Sequence, residues 1–114
     1  MTSDETAAPV VGVRPLDEVF EAIEAANGSP QPWSGFEHGV LGAYRWAVGA
    51  QVAAPATAAT ALGATGPCRA QLLAECQAVA VRLREAVRTG ADTACTLGAY
   101  QALAWLCGHH EERP

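Results

Sequence analysis

The sequence predicts an all-α fold, a four-helix domain made of two αα-hairpins related by an approximate internal two-fold. Three observations carry that reading. Apolar residues recur at helical spacing, helix caps mark where those segments begin and end, and one small-residue pattern is written twice. The hairpins are expected at 15–49 and 67–108, within a single domain at 15–108. A flexible arm, 1–14, precedes them, a connector, 50–66, joins them, and a polar tail, 109–114, follows.

Each element has its own local signal. Residues 1–13 are small and polar without a period. Pro15 suits a first helical turn, and Leu16, Val19, Phe20 and Ile23 then form an i, i+3, i+4, i+7 stripe. Asp17, Glu18, Glu21 and Glu24 take the other face, with acids near the start, where the helix dipole favours them. Asn27-Gly28 predicts a left-handed cap. Ser34 and Glu37 form an S-x-x-E capping box that opens the second helix, which runs to about Gly49. The connector is rich in Ala, Thr and Gly, with a short helix expected over Ala56–Leu62. The third helix runs from Pro67 to Thr89-Gly90 on a stripe of Leu72, Cys76, Val79, Ala80, Leu83 and Val87. Asp92 or Thr93 caps the fourth, which ends near Cys107.

The repeat is the most informative feature. Gly35, Gly39, Ala43, Trp46, Gly49 and Pro55 fall on Ala94, Gly98, Ala102, Trp105, Gly108 and Pro114, each pair 59 positions apart. Small residues at i, i+4 and i+8 leave a groove along one helix face, where a second helix can approach to about 8 Å. The tryptophan closes that groove with a large apolar ring, and the following glycine ends the helix. A glycine inside a helix costs about 1 kcal/mol against alanine. Gly39, Gly42 and Gly98 therefore need a packing reason, and the second helix crossing the fourth would supply it. The same faces could instead meet a second subunit.

Composition narrows the function. Half of the 114 residues are apolar, many of them alanine, and 6% are aromatic, so the core is expected to be thin. A chain of this length buries about two thirds of its unfolded surface, which makes oligomerisation useful for stability. The net charge is −5 and all seven basic residues are arginines. Arg82, Arg84 and Arg88 do not form one stripe at about 100° per residue, so no nucleic-acid partner is expected. The opening MTSDETAAP is not the basic, then apolar, start of a signal peptide. No run approaches the ~20 apolar residues that span a bilayer. A cytoplasmic protein without a membrane partner is expected, with Cys68, Cys76, Cys95 and Cys107 as thiols.

Chemistry-bearing patterns are few. Cys68 and Cys76 are eight apart and Cys95 and Cys107 twelve apart, not the short paired spacings of zinc sites. Cys107-Gly-His109-His110 therefore reads as a thiol followed by a solvated tail. His38 could pair with Cys95 or Cys107 as a nucleophile, but no orienting third group is indicated. Glu21 and Glu24 lie opposite the apolar stripe and read as solvated charge. Phosphate-binding, dinucleotide and nucleophile-elbow motifs are absent. No catalytic residue, metal ligand set or cofactor is predicted.

The aromatics remain as candidate binding residues: Trp33, Tyr44, Trp46, Tyr100 and Trp105. Two functions from different classes are open. One is a non-catalytic protein–protein interaction module, an adaptor or regulator that self-associates as a homodimer. The other is a helical bundle that binds a small molecule, as a sensor or minor enzyme would, in a Trp/Tyr-lined pocket between the hairpins. The segment G-x3-A-x2-W-x2-G, Gly39 to Gly49, resembles small Ala/Arg-rich helical proteins of actinobacteria, including those on phage-like elements. That resemblance implies a helical fold and brings no function or site residues with it.

Overall fold

The computed structural model describes residues 10–60 and 66–114. Its elements run β1 (Val10–Val11), β2 (Arg14–Pro15), α1 (Leu16–Asn27), α2 (Gly35–Ala47), α3 (Arg69–Thr89) and α4 (Ala94–Leu106). Over the described residues the protein is mostly helical, with four helices and one small antiparallel sheet. Among the described residues no helix is long and apolar enough to cross a membrane.

α2 and α4 form the centre of the fold, and their contact is the most extensive between any two helices. The small-residue faces meet there. A Cβ on Gly39 would lie 2.0 Å from the Cys95 carbonyl oxygen, and one on Gly98 would lie 2.1 Å from the Phe36 carbonyl oxygen. Gly35 faces the Cβ of Ala94 at the open end of the crossing. Ala43 and Ala102 are fully buried nearby. α1 then packs on α2 and α3 on α4. Gly42, by contrast, has open space where its Cβ would be, so helix packing does not explain it.

Local signals set most helix ends. Ser34 Oγ accepts from the Glu37 N–H (3.3 Å), while the Ser34 N–H donates to Glu37 Oε1 (2.7 Å), completing the capping box. At the start of α4 it is Asp92, not Thr93, whose carboxylate accepts from the Ala94 N–H (3.0 Å). α2 and α4 end alike. Gly49 (φ +82°) and Gly108 (φ +83°) adopt the left-handed conformation that a side chain resists. The N–H groups of Ala50 and His109 then reach back to the Arg45 and Ala104 carbonyls at 2.8 Å, the Schellman pattern.

Four expectations are corrected. The fold is not purely α, because residues 10–15, placed by sequence in the arm and at the helix start, form the β1–β2 pair. Their strands are too short to show a period. The pair is held by tertiary contacts: the Val13 N–H donates to the Leu106 carbonyl (2.9 Å), and Arg14 donates to the carbonyls of Trp105 (2.8 Å) and His110 (2.5 Å). Gly28 ends α1 at φ −81°, not left-handed, with its N–H on the Glu24 carbonyl.

No helix forms over residues 56–60; the remaining two residues of that expected helix lie outside the described residues. A turn closed by an Ala53–Thr60 bridge stands there instead, held to α3 by Glu75. Finally, α1 buries Val19 and Ala22 and leaves Phe20 50% exposed. The buried face is rotated by about 60° from the predicted stripe, at 100° per residue. Alanines at 22 and 26 let α1 lie close on α2 along that face.

Candidate functional site

The five aromatic candidates do not converge on one site. Trp46 and Trp105 are 0% and 2% exposed and fill the core beside the α2–α4 crossing. Tyr44 is buried edge-on to Trp105, with ring centroids 6.0 Å apart. Tyr100 is half-buried against His110. Trp33 donates its indole N–H to the Ser29 carbonyl (3.0 Å) and packs edge-on to His38, so it fastens the loop before α2. Buried rings cannot offer an interface. The exposed apolar surface comes from other residues.

One apolar feature of that surface is a groove of about 370 Å³ lined by Val10, Leu16, Phe20, Val48, Gly66 and Pro67, among others. Every lining residue is apolar or glycine. Val10 is 62% exposed and Phe20 50%. The groove lies where β1, the start of α1, the end of α2 and the Gly66–Pro67 segment before α3 converge. Sequence reasoning put Phe20 on the buried stripe and Val10 in a mobile arm, so neither was named as a site residue.

Two further cavities have mixed linings. One, of about 350 Å³, lies between α1, the start of α2 and the C-terminal residues, lined by Ala22, Phe36, Glu37, Tyr44 and Arg113, among others. The Tyr44 hydroxyl is buried there with no partner among the described residues. Burial pushes its pKa upward, partly offset by the Arg113 and Arg14 charges. Glu37 is held below the usual carboxylate range, first by the backbone N–H of Ser34.

The second cavity, of about 250 Å³, brings His38 and Cys95 to one rim with Gly42, Arg82 and Thr96. His38 is engaged with Trp33, and no hydrogen bond joins it to Cys95 among the described residues. Neither tryptophan of the repeat lines either cavity; of the residues expected in a Trp/Tyr-lined pocket between the hairpins, Tyr44 borders the first.

Glu75 is the polar residue that sequence reasoning missed. It is 2% exposed and accepts from the Ala56 N–H (2.5 Å), the Thr57 N–H (3.1 Å) and the Thr57 hydroxyl (2.6 Å). A signal was available: Leu72, Glu75, Cys76 and Val79 share one face at i, i+3, i+4 and i+7. An acid on an apolar face must find donors. Here the donors belong to the connector, so Glu75 shapes a turn.

Among the described residues no group of three or more His, Cys, Asp or Glu is arranged to hold a metal ion. Compared with known proteins, the chain matches no family model, no curated protein and no solved structure, and its function has to be read from this geometry.

Proposed function

We propose that this chain is a non-catalytic helical interaction module that works by self-association, as a homodimer joined through the apolar groove beside Phe20. One observation carries the reading. Phe20 belongs to the apolar stripe predicted for an amphipathic helix, yet half of it faces water at the edge of a groove lined by no polar side chain. Exposed apolar surface of that kind marks an interaction site. A second copy is the occupant because both parts of the surface, the projecting Phe20 and Val10 and the hollow beside them, are present on this chain. A two-fold axis would pair each with the other.

The internal repeat fits a scaffold role. In this reading the hairpins 15–49 and 67–108 are two copies of one motif. Support comes from the reciprocal approach of Gly39 to Cys95 and Ala99, and of Gly98 to Phe36 and Val40, each equivalent pair 59 apart. The motif packs α2 on α4 inside the chain, which leaves α1 to face a partner. This reading takes the protein to be cytoplasmic, a compartment in which thiols stay reduced.

Phe20→Glu tests the groove. The variant is expected to keep the helical circular dichroism of the wild type and to elute as a monomer by light scattering, where the wild type elutes as a dimer. Equal masses for the two proteins would remove the groove from the account.

A second reading has one observation in its favour, the Tyr44 hydroxyl, which has no partner among the described residues and lines a cavity with Arg113. A small carboxylate could bind Arg113 and accept from Tyr44. Thermal stabilisation by short-chain carboxylates, lost in both Tyr44→Phe and Arg113→Ala, would support it. The absence of any shift would exclude it.

A further inference from the structure

The helix crossing accounts for Gly39 and Gly98, but Gly42 has nothing within 4 Å of the place its Cβ would take. A glycine inside a helix weakens it, and here no close packing is gained in return. The open space is the cavity of about 250 Å³, which Gly42 lines together with Gly39 and Ala99.

The hollow follows from the way the helices pack. α2 and α4 meet backbone to backbone at Gly39 and Gly98, so their seam is bare of side chains there. α3 packs on α4 and scarcely reaches α2. The connector turn spans the gap, contributing Pro55 and Ala56 to the lining opposite Val79 and Arg82 of α3. Two α3 side chains fix that turn. Glu75 accepts from the Ala56 N–H (2.5 Å), and Arg82 Nη2 donates to the Ala56 carbonyl (2.9 Å).

Charge and size select the occupant. No acid lines the cavity, and Arg82 has no ion-pair partner among the described residues. Its bond to Ala56 uses one N–H and holds the guanidinium still, which leaves the rest of the fork for a ligand. Glu75 lies outside the lining, with both carboxylate oxygens engaged by the connector. The Thr96 hydroxyl and the His38 ring add polar groups. A guanidinium fork matches the two oxygens of a carboxylate. The remaining lining of glycine, alanine, proline and valine suits a flat apolar body. At about 250 Å³ the cavity falls below the roughly 300 Å³ where drug-sized pockets begin, so the occupant is one ring, not several.

We propose that this cavity binds a small aromatic carboxylate, with its ring against Gly42 and its carboxylate on Arg82. Gly42 then gives up helix stability to leave room for the ring, a trade of stability for function. The site shares no lining residue with the groove beside Phe20 or with the cavity beside Tyr44, and so is independent of both.

Benzoate is the probe, titrated into the full-length chain and followed by amide chemical shifts. Saturable shifts are expected at Gly42, Ala56 and Thr96, with the affinity falling as salt is raised. Benzamide, which keeps the shape and loses the charge, should bind about tenfold more weakly. Arg82→Gln should weaken benzoate by a similar factor. Gly42→Ala should stay folded, melt higher than the wild type and lose the saturable shifts, because the new methyl group takes the place of the ring. Unchanged benzoate binding in either variant would overturn the proposal. So would shifts centred on Tyr44 and Arg113, or no saturable shift at about 10 mM benzoate. The wild-type titration locates the site whether the chain is a monomer or a dimer.

Discussion

Gly39 and Gly98 sit back to back where α2 crosses α4, each lacking the one atom that would strike the other helix. A Cβ on Gly39 would lie 2.0 Å from the Cys95 carbonyl oxygen and one on Gly98 2.1 Å from that of Phe36, both well inside contact distance. These are backbone atoms, so no rotamer change can relieve the clash. Gly39→Ala and Gly98→Ala should each destabilise the fold by about 1–3 kcal/mol or more, the cost of overpacking. That loss outweighs the gain of about 1 kcal/mol that alanine brings to a helix interior. Urea denaturation checks it.

Gly42 supplies the control within the same helix. Its Cβ position is open, so Gly42→Ala should raise stability by about 0.5–1 kcal/mol through propensity alone. A loss at Gly42 equal to that at Gly39 would mean that the α2–α4 approach is not what constrains the glycines.

Glu75 holds the connector from the side of α3. Its carboxylate takes three donors from Ala56 and Thr57. Glu75→Ala removes the acceptor and leaves those donors to find water, at about 1–3 kcal/mol. The amides of Ala56 and Thr57 should lose hydrogen-exchange protection ahead of the α2–α4 core. A variant that loses protection uniformly would place Glu75 in the general packing instead.

Tyr44 has a hydroxyl that gains nothing from its surroundings. Tyr44→Phe is expected to be neutral or mildly stabilising by thermal denaturation, since a buried donor with no partner among the described residues is removed. Burial raises the folded-state pKa above the ordinary 10.0. The unfolded chain therefore loses this proton first, and stability contributed by Tyr44 should be full below about pH 10 and fall as pH rises beyond it. In Tyr44→Phe the alkaline decline should be shallower.

Arg14 joins the β1–β2 pair to the end of α4. Its guanidinium donates to the Trp105 and His110 carbonyls and lies 4.8 Å from the Trp105 ring centroid. Arg14→Ala should cost about 1–2 kcal/mol and shift tryptophan emission. Lysine should not restore it, because an ammonium cannot reproduce the planar fork.

What was legible in the sequence was what short stretches of chain decide. The Ser34–Glu37 box, the Gly90 end of α3 and the Gly49 and Gly108 ends are local, and all stand near their predicted places. What was not legible depends on contacts across the fold. The β1–β2 pair needs the end of α4, the turn at 53–60 needs Glu75, and α1 is rotated by its fit to α2. The same holds for function. Cys76 and His109, 33 positions apart, carry no metal or redox spacing, and the packing of α3 against the end of α4 brings them together. Trp46 and Trp105 did signal the small-residue crossing, but as core and not as a binding surface.

Sedimentation velocity of the wild-type chain through a dilution series tests self-association most directly. The account predicts a dimer at high concentration that dissociates on dilution to a folded monomer. A monomer at every concentration would contradict it and would leave the cavity beside Tyr44 as the place to look for function.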